Sequence, residues 1–200
     1  MEFKRNPRSK LLTRAYRMLD TVIDATIVLS YGNTGYRFRR ASLWNNTGLA
    51  VDLTSKVCAI TGANSGIGLA AALQLARCGA TIYLLVRNLE RGAAAQARIR
   101  EEAGHSRVYL EAIDLSSVAS VLACADRIKA QTQRLDILIN NAGDAFERRD
   151  LSVDGVELTF ATNVLGAFVL TNALIPLLQS CTPARIINVS SGGMYLAKLD

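Results

Sequence analysis

From Lys56 onward the chain alternates five times between a short β-rich run and a helical segment. The runs are KVCAIT, TIYLLV, RVYLEAI, LDILIN and RIINVS. Between them, spacing and end signals predict helices from Gly66 to Cys78, with Gly79 as the stop, and from Glu90 to Ala103. A third runs from Ser116 to Gln131 and opens on a serine cap, and a long apolar one runs from about Val153 to Leu178. Strands joined by helices must run parallel, because each crossover returns the chain to the same end of the sheet. The expectation is therefore an α/β fold, a Rossmann-type doubly wound parallel sheet with five strands and helices on both faces.

Half of the 200 residues are hydrophobic and 20% are charged, enough to build a real core. The four cysteines, Cys58, Cys78, Cys124 and Cys181, lack metal-type spacing and read as free thiols, most of them buried. The only histidine, His105, falls in EEAGHSR between two periodic segments, a turn position, and no second histidine exists to share a metal. No metal site is expected.

The formal charge of +6 is unevenly placed. Residues 1–50 hold nine Lys/Arg against Glu2, Asp20 and Asp24, whereas residues 51–200 hold fourteen of each sign. The basic excess belongs wholly to the N-terminal stretch, so the main domain gives no electrostatic case for binding nucleic acid. Within that stretch Leu11, Leu12, Ala15, Tyr16, Leu19, Val22, Ile23 and Ile27 recur at helical steps, and a loop-rich linker follows. The chain thus divides into a basic amphipathic extension, 1–50, and a dinucleotide-binding domain, 51–200. Three readings of the extension stay open: a helix laid on the domain, a membrane-surface helix, or an organellar presequence. They correspond to a cytoplasmic location, a peripheral membrane one, or import into an organelle.

The first strand runs straight into TGANSGIG, Thr61 to Gly68. Glycines there permit a tight turn, close approach of backbone N–H groups to a pyrophosphate, and close packing of helix on sheet. The following helix N-terminus favours an anion. Three further motifs arrive in order: NNAG at Asn140–Gly143, NVLGAF at Asn163–Phe168, and NVSS at Asn188–Ser191. With these four motifs the stretch from Leu53 to Asp200 resembles the short-chain dehydrogenase/reductase family. LLVRNLERG and INVSSGGM are most similar to its retinol-dehydrogenase-like branch.

That resemblance implies an NAD(P)-dependent oxidoreductase acting on a carbonyl or alcohol, small and lipophilic in the full-length family. It implies that Gly62, Asn64, Ser65, Gly66, Ile67 and Gly68 surround the pyrophosphate. Asp114 and Leu115 would meet the adenine, and Asn141, Ala142 and Gly143 the ribose. Arg87, at the end of the second strand, stands where a carboxylate would select NAD; a cation there favours the 2′-phosphate of NADP over NAD. Ser65, where NADP-preferring relatives often carry a basic residue, pulls weakly the other way. Ser191 matches the family's catalytic serine and Asn163 its helical asparagine.

Tyr195 and Lys198 do not match the family's tyrosine and lysine. They lie three residues apart, whereas the YxxxK pair needs four to share one helix face. They also follow Ser191 too closely. The expectation is an incomplete domain: the cofactor-binding half and the serine, without the proton donor. The competing expectation is a non-catalytic nucleotide-binding or interaction protein with a membrane-surface N-terminal helix.

Overall fold

The computed structural model describes Tyr36, Arg37 and residues 51–191; the expected N-terminal helix, Tyr195 and Lys198 lie outside the described residues. Five strands form one sheet: β1 (Val57–Thr61), β2 (Thr81–Val86), β3 (Val108–Ala112), β4 (Ile137–Asn140) and β5 (Arg185–Asn188). Their order is β3-β2-β1-β4-β5 and every pairing is parallel. The four helices between them are α1 (Gly66–Arg77), α2 (Leu89–Ala103), α3 (Val118–Gln131) and α4 (Leu158–Gln179). The doubly wound parallel sheet is as the alternation of the sequence requires.

The apolar strand runs feed two cores at once. Ala59, Tyr83, Leu85 and Leu138 face α3 and α4, packing on Val121, Ile128, Leu170 and Leu174. Cys58, Ile60, Ile82 and Leu84 face α1 and α2, packing on Ala72, Ala76 and Ile99. Central strands covered on both sides have no polar face, hence their unbroken hydrophobicity. The first strand, VCAIT, is buried throughout. By contrast β5 is exposed along its length, with Ile186 47% and Ile187 43% accessible.

Three helix starts differ from the sequence reading: α2 begins one residue earlier, at Leu89, and the other two shift for local reasons. The hydroxyl and N–H of Ser116 both donate to Asp114 Oδ1, at 2.7 and 2.9 Å. Ser116 is thereby taken, and Ser117 caps α3 instead, accepting from Ser120 N–H. Helix α4 begins at Leu158 rather than near Val153. Residues 151–157 fold into a tight turn closed by a Leu151–Glu157 bridge, with Gly155 at φ +73°, a left-handed conformation that stops helix growth. Glu157 then caps the helix, accepting from the N–H groups of Thr159 and Phe160.

By length and composition α4 could cross a membrane. Its buried face, Leu170, Leu174, Leu177 and Leu178, belongs to the domain core. Leu135 N–H also donates to Leu177 O, and Ser180 Oγ to Gln133 O. It is a core helix of the domain.

The N-terminal end of the sheet is held by one carboxylate. Asp136, 2% exposed, accepts from Lys56 Nζ (2.8 Å), Val57 N–H (3.0 Å), and Arg134 Nε (3.0 Å) and Nη2 (2.7 Å). Burial alone would raise its pKa, but the bonds donated by Arg134, Lys56 and Val57 outweigh it and hold the value at about 2. A depressed carboxylate stabilises the fold above its unfolded pKa and loses that contribution as pH falls through the folded value. Asp136→Asn is expected to lose about 2 kcal/mol of stability at neutral pH. Urea unfolding of both chains should show the difference constant above about pH 4 and shrinking towards pH 2.

Candidate functional site

Strand order reverses at β1: the chain steps outward through β2 and β3, then returns to the other side of β1 for β4. At such a switch point the loops at the carboxyl ends of the strands part and leave a crevice. A cleft of about 580 Å³ lies there. Gly62, Asn64, Ser65, Gly66 and Ile67 form its floor; Arg87, Asp114 and Leu115 line one flank, and Asn141, Ala142 and Gly143 the other. Eleven of the twelve positions singled out for cofactor binding thus meet around one cavity. The exception is Gly68, which lies beneath the lining. A Cβ on it would come within 2.5 Å of Asn141 Nδ2 and Gly62 O, so its glycine serves the packing of α1 under the loop.

The floor is shaped by its junction with β4. Thr61 Oγ1 accepts from the N–H groups of both Asn141 and Ala142, each at 2.9 Å, and Asn141 Nδ2 donates back to Thr61 O at 3.0 Å. Gly62 then turns at φ +65°, a left-handed conformation that favours glycine, and an added Cβ would crowd Ala142, 3.1 Å from its Cα and Cβ.

The helix ends around the cleft are not alike. Asn88 caps α2, accepting from Arg91 N–H at 2.8 Å, and α3 and α4 are capped by Ser117 and Glu157. Helix α1 starts on an extended Ser65 with no side-chain cap. Its first N–H groups, beside a cavity lined by Ser65, Gly66 and Ile67, lack the partner that the other helices receive. An anionic group would satisfy them and the positive end of the helix dipole together. This arrangement fits a pyrophosphate.

Five polar lining residues went unmarked in the sequence: Thr61, Asn88, Arg91, Asp144 and Thr162. Arg91 had a legible signal, standing four residues past Arg87 in RNLERG. Thr162 had none, because its place depends on how α4 packs. That packing is close: a Cβ on Gly166 would lie 2.3 Å from Leu115 O.

Ser191 and Asn163 do not line the cleft. Ser191 is exposed, three residues beyond β5. Asn163 lies in the π-helical turn Ala161–Leu165 of α4, and its amide clamps one residue of the β4 flank. Its Oδ1 accepts from Asp144 N–H at 2.9 Å, and its Nδ2 donates to Asp144 O at 2.8 Å. Burial pushes the thiols of Cys58 and Cys124, and the phenol of Tyr83, up to about 12. His105 faces away, its Nε2 2.9 Å from Ala76 O in the turn between α2 and β3.

The family model described as short chain dehydrogenase matches residues 56–196. The chain belongs to this family. It is 43% identical over 152 residues to dehydrogenase/reductase SDR family member 12 of Bos taurus, covering 76% of this chain and 48% of that protein. It is 40% identical over 149 residues to retinol dehydrogenase 12 of Mus musculus, covering 74% of this chain and 47% of that protein. The chain therefore spans about half the length of the curated relatives it matches, and the retinol-dehydrogenase-like branch suggested by its motifs holds. Among solved structures, a short chain dehydrogenase from Escherichia coli CFT073 complexed with NADPH superimposes with a TM-score of 0.64 at 30% identity, over 74% of this chain and 64% of that one. The NADP complex of Pseudomonas aeruginosa RhlG gives a TM-score of 0.62 at 32% identity, over 70% and 56%.

The close approach of α4 to Leu115 can be tested directly. Gly166→Ala forces a methyl against a backbone carbonyl that has no rotamer to yield, at a cost of about 1–3 kcal/mol. Urea unfolding should show that loss. Because Leu115 lines the cleft, dinucleotide affinity should fall with it.

Proposed function

We propose that the cleft binds NADP, and that the chain is the nucleotide-binding portion of an oxidoreductase acting on a carbonyl or alcohol. The observation that carries this reading is the uncapped N-terminus of α1, opening on a cavity whose β2 flank presents Arg87 and Arg91. The glycine loop and α1 would hold the pyrophosphate, and the two guanidiniums the 2′-phosphate. Asp114 and Leu115 would meet the adenine, and Asn141–Gly143 the second ribose. Family membership makes the cofactor a nicotinamide dinucleotide; the arginines favour NADP over NAD. A bound nicotinamide supplies or accepts hydride. In this reading Ser191 would orient the substrate oxygen and Asn163 holds the β4 flank rigid. A positioned acid contributes ~10²–10⁴-fold, and in this reading Tyr195 does not fill that role.

Arg87→Asp should weaken NADP at least ten-fold while changing NAD little, since only NADP carries the phosphate. Calorimetric titration of both dinucleotides checks this, and equal losses for the two would refute the assignment of Arg87. The 200-residue chain is further expected to bind NADPH without oxidising it in the presence of aldehydes or ketones. Tyr195→Phe should leave that result unchanged; turnover abolished by the substitution would make Tyr195 the acid.

Residues 1–50 form, in our reading, a separate basic extension that contacts anionic membrane surfaces, supported by the confinement of the +6 charge to it. Sedimentation with anionic vesicles should depend on these residues and weaken with salt. A chain starting at Ala50 should stay in solution.

A further inference from the structure

Asp144 is the charged residue of the cleft that the reading above leaves unused. It follows Asn141–Gly143 directly and lines the β4 flank, across the phosphate loop from Arg87 and Arg91. Its backbone is fixed on both sides, N–H and C=O each bonded to the amide of Asn163. Its own Oδ1 accepts from Ala145 N–H at 2.9 Å, which restrains the side chain as well. The result is a positioned negative charge on a pinned stretch of backbone.

What that charge faces follows from the direction of the ligand. With the 2′-phosphate at the arginines beside β2 and the pyrophosphate over β1 and α1, a dinucleotide crossing the switch point lays its nicotinamide along β4. The oxidised and reduced forms carry the same phosphates. They differ at this ring alone, by one positive charge. Arg87 and Arg91, on the far flank, act on the shared phosphates and cannot tell the two forms apart. The Asp114 carboxylate lies on that far flank too, with Oδ1 accepting twice from Ser116.

We propose that Asp144 makes the cleft discriminate between redox states, holding the oxidised dinucleotide more tightly than the reduced one. This rests on the reading of the cleft as an NADP site. A carboxylate acting on that ring across an open, solvent-screened cleft gives a preference of roughly three-fold. Tighter binding of the oxidised form also lowers the potential of the bound couple, which favours hydride leaving the ring over hydride returning to it.

The test is the ratio of dissociation constants, Kd(NADPH)/Kd(NADP⁺), for the full chain and for Asp144→Asn, by calorimetry. Asparagine keeps an oxygen for Ala145 N–H and removes only the charge; unchanged thermal melting would confirm an intact fold. The ratio is expected to fall about three-fold in the variant. In the wild-type chain it should shrink as salt rises from about 20 to about 300 mM, while the variant's ratio stays flat. An unchanged ratio overturns the proposal. So does an equal change for both forms, which would place the carboxylate against a phosphate if both tighten, or against a ribose hydroxyl if both weaken. A wild-type chain that binds neither form would instead overturn the reading of the cleft itself, and this inference with it.

Discussion

The hydroxyl of Thr61 holds the site together. Only 1% exposed, it accepts from two consecutive N–H groups at the end of β4, and so ties the ends of β1 and β4 where the sheet changes direction. Backbone donors in a buried place must find partners, and here one side chain satisfies two of them. With that junction set, Gly62 can turn against Ala142 and Gly68 can pass under Asn141. The floor of the cleft and its β4 flank are then a single rigid piece. Loss of the hydroxyl would leave two part-buried N–H groups unpaired, and the loop without its reference point.

Stability and binding are placed at opposite ends of the same strands. At the amino end of the sheet Asp136 gathers Lys56, Arg134 and the Val57 N–H into a satisfied ionic cluster. At the carboxyl end, polar groups face a cavity and α1 begins without a cap. A buried carboxylate is tolerable where its charge is met on all sides. Incompletely satisfied donors, conversely, are useful where an anion is to enter. Parallel strands separate these demands, because every βα loop falls on one side.

The flanks of the cleft are set by different contacts. The β2–β3 flank rests on local capping, Asn88 on α2 and the Asp114–Ser116 turn ahead of α3. The β4 flank rests on a long-range clamp, Asn163 reaching back nineteen positions to Asp144. Between them α4 packs so near to Leu115 that Gly166 has no room for a side chain.

The sequence by itself determined the architecture. Strand runs buried on both faces, helix spacing and glycine stops are local properties, and they placed every strand and the residues of the phosphate loop. It also determined family and branch, because four motifs occur in order. Only the tertiary structure decided which residues share the cleft. Gly68 lies in the motif yet packs beneath it, whereas Asp144 and Thr162 lie in no quoted motif and line it. The shift of the α3 cap to Ser117 and the late start of α4 were likewise settled by competition: Asp114 had already engaged Ser116, and Gly155 turned the chain before the helix could form. Such outcomes depend on which donor meets which acceptor once the chain is folded, and spacing along a sequence carries that information only where both partners lie on one element.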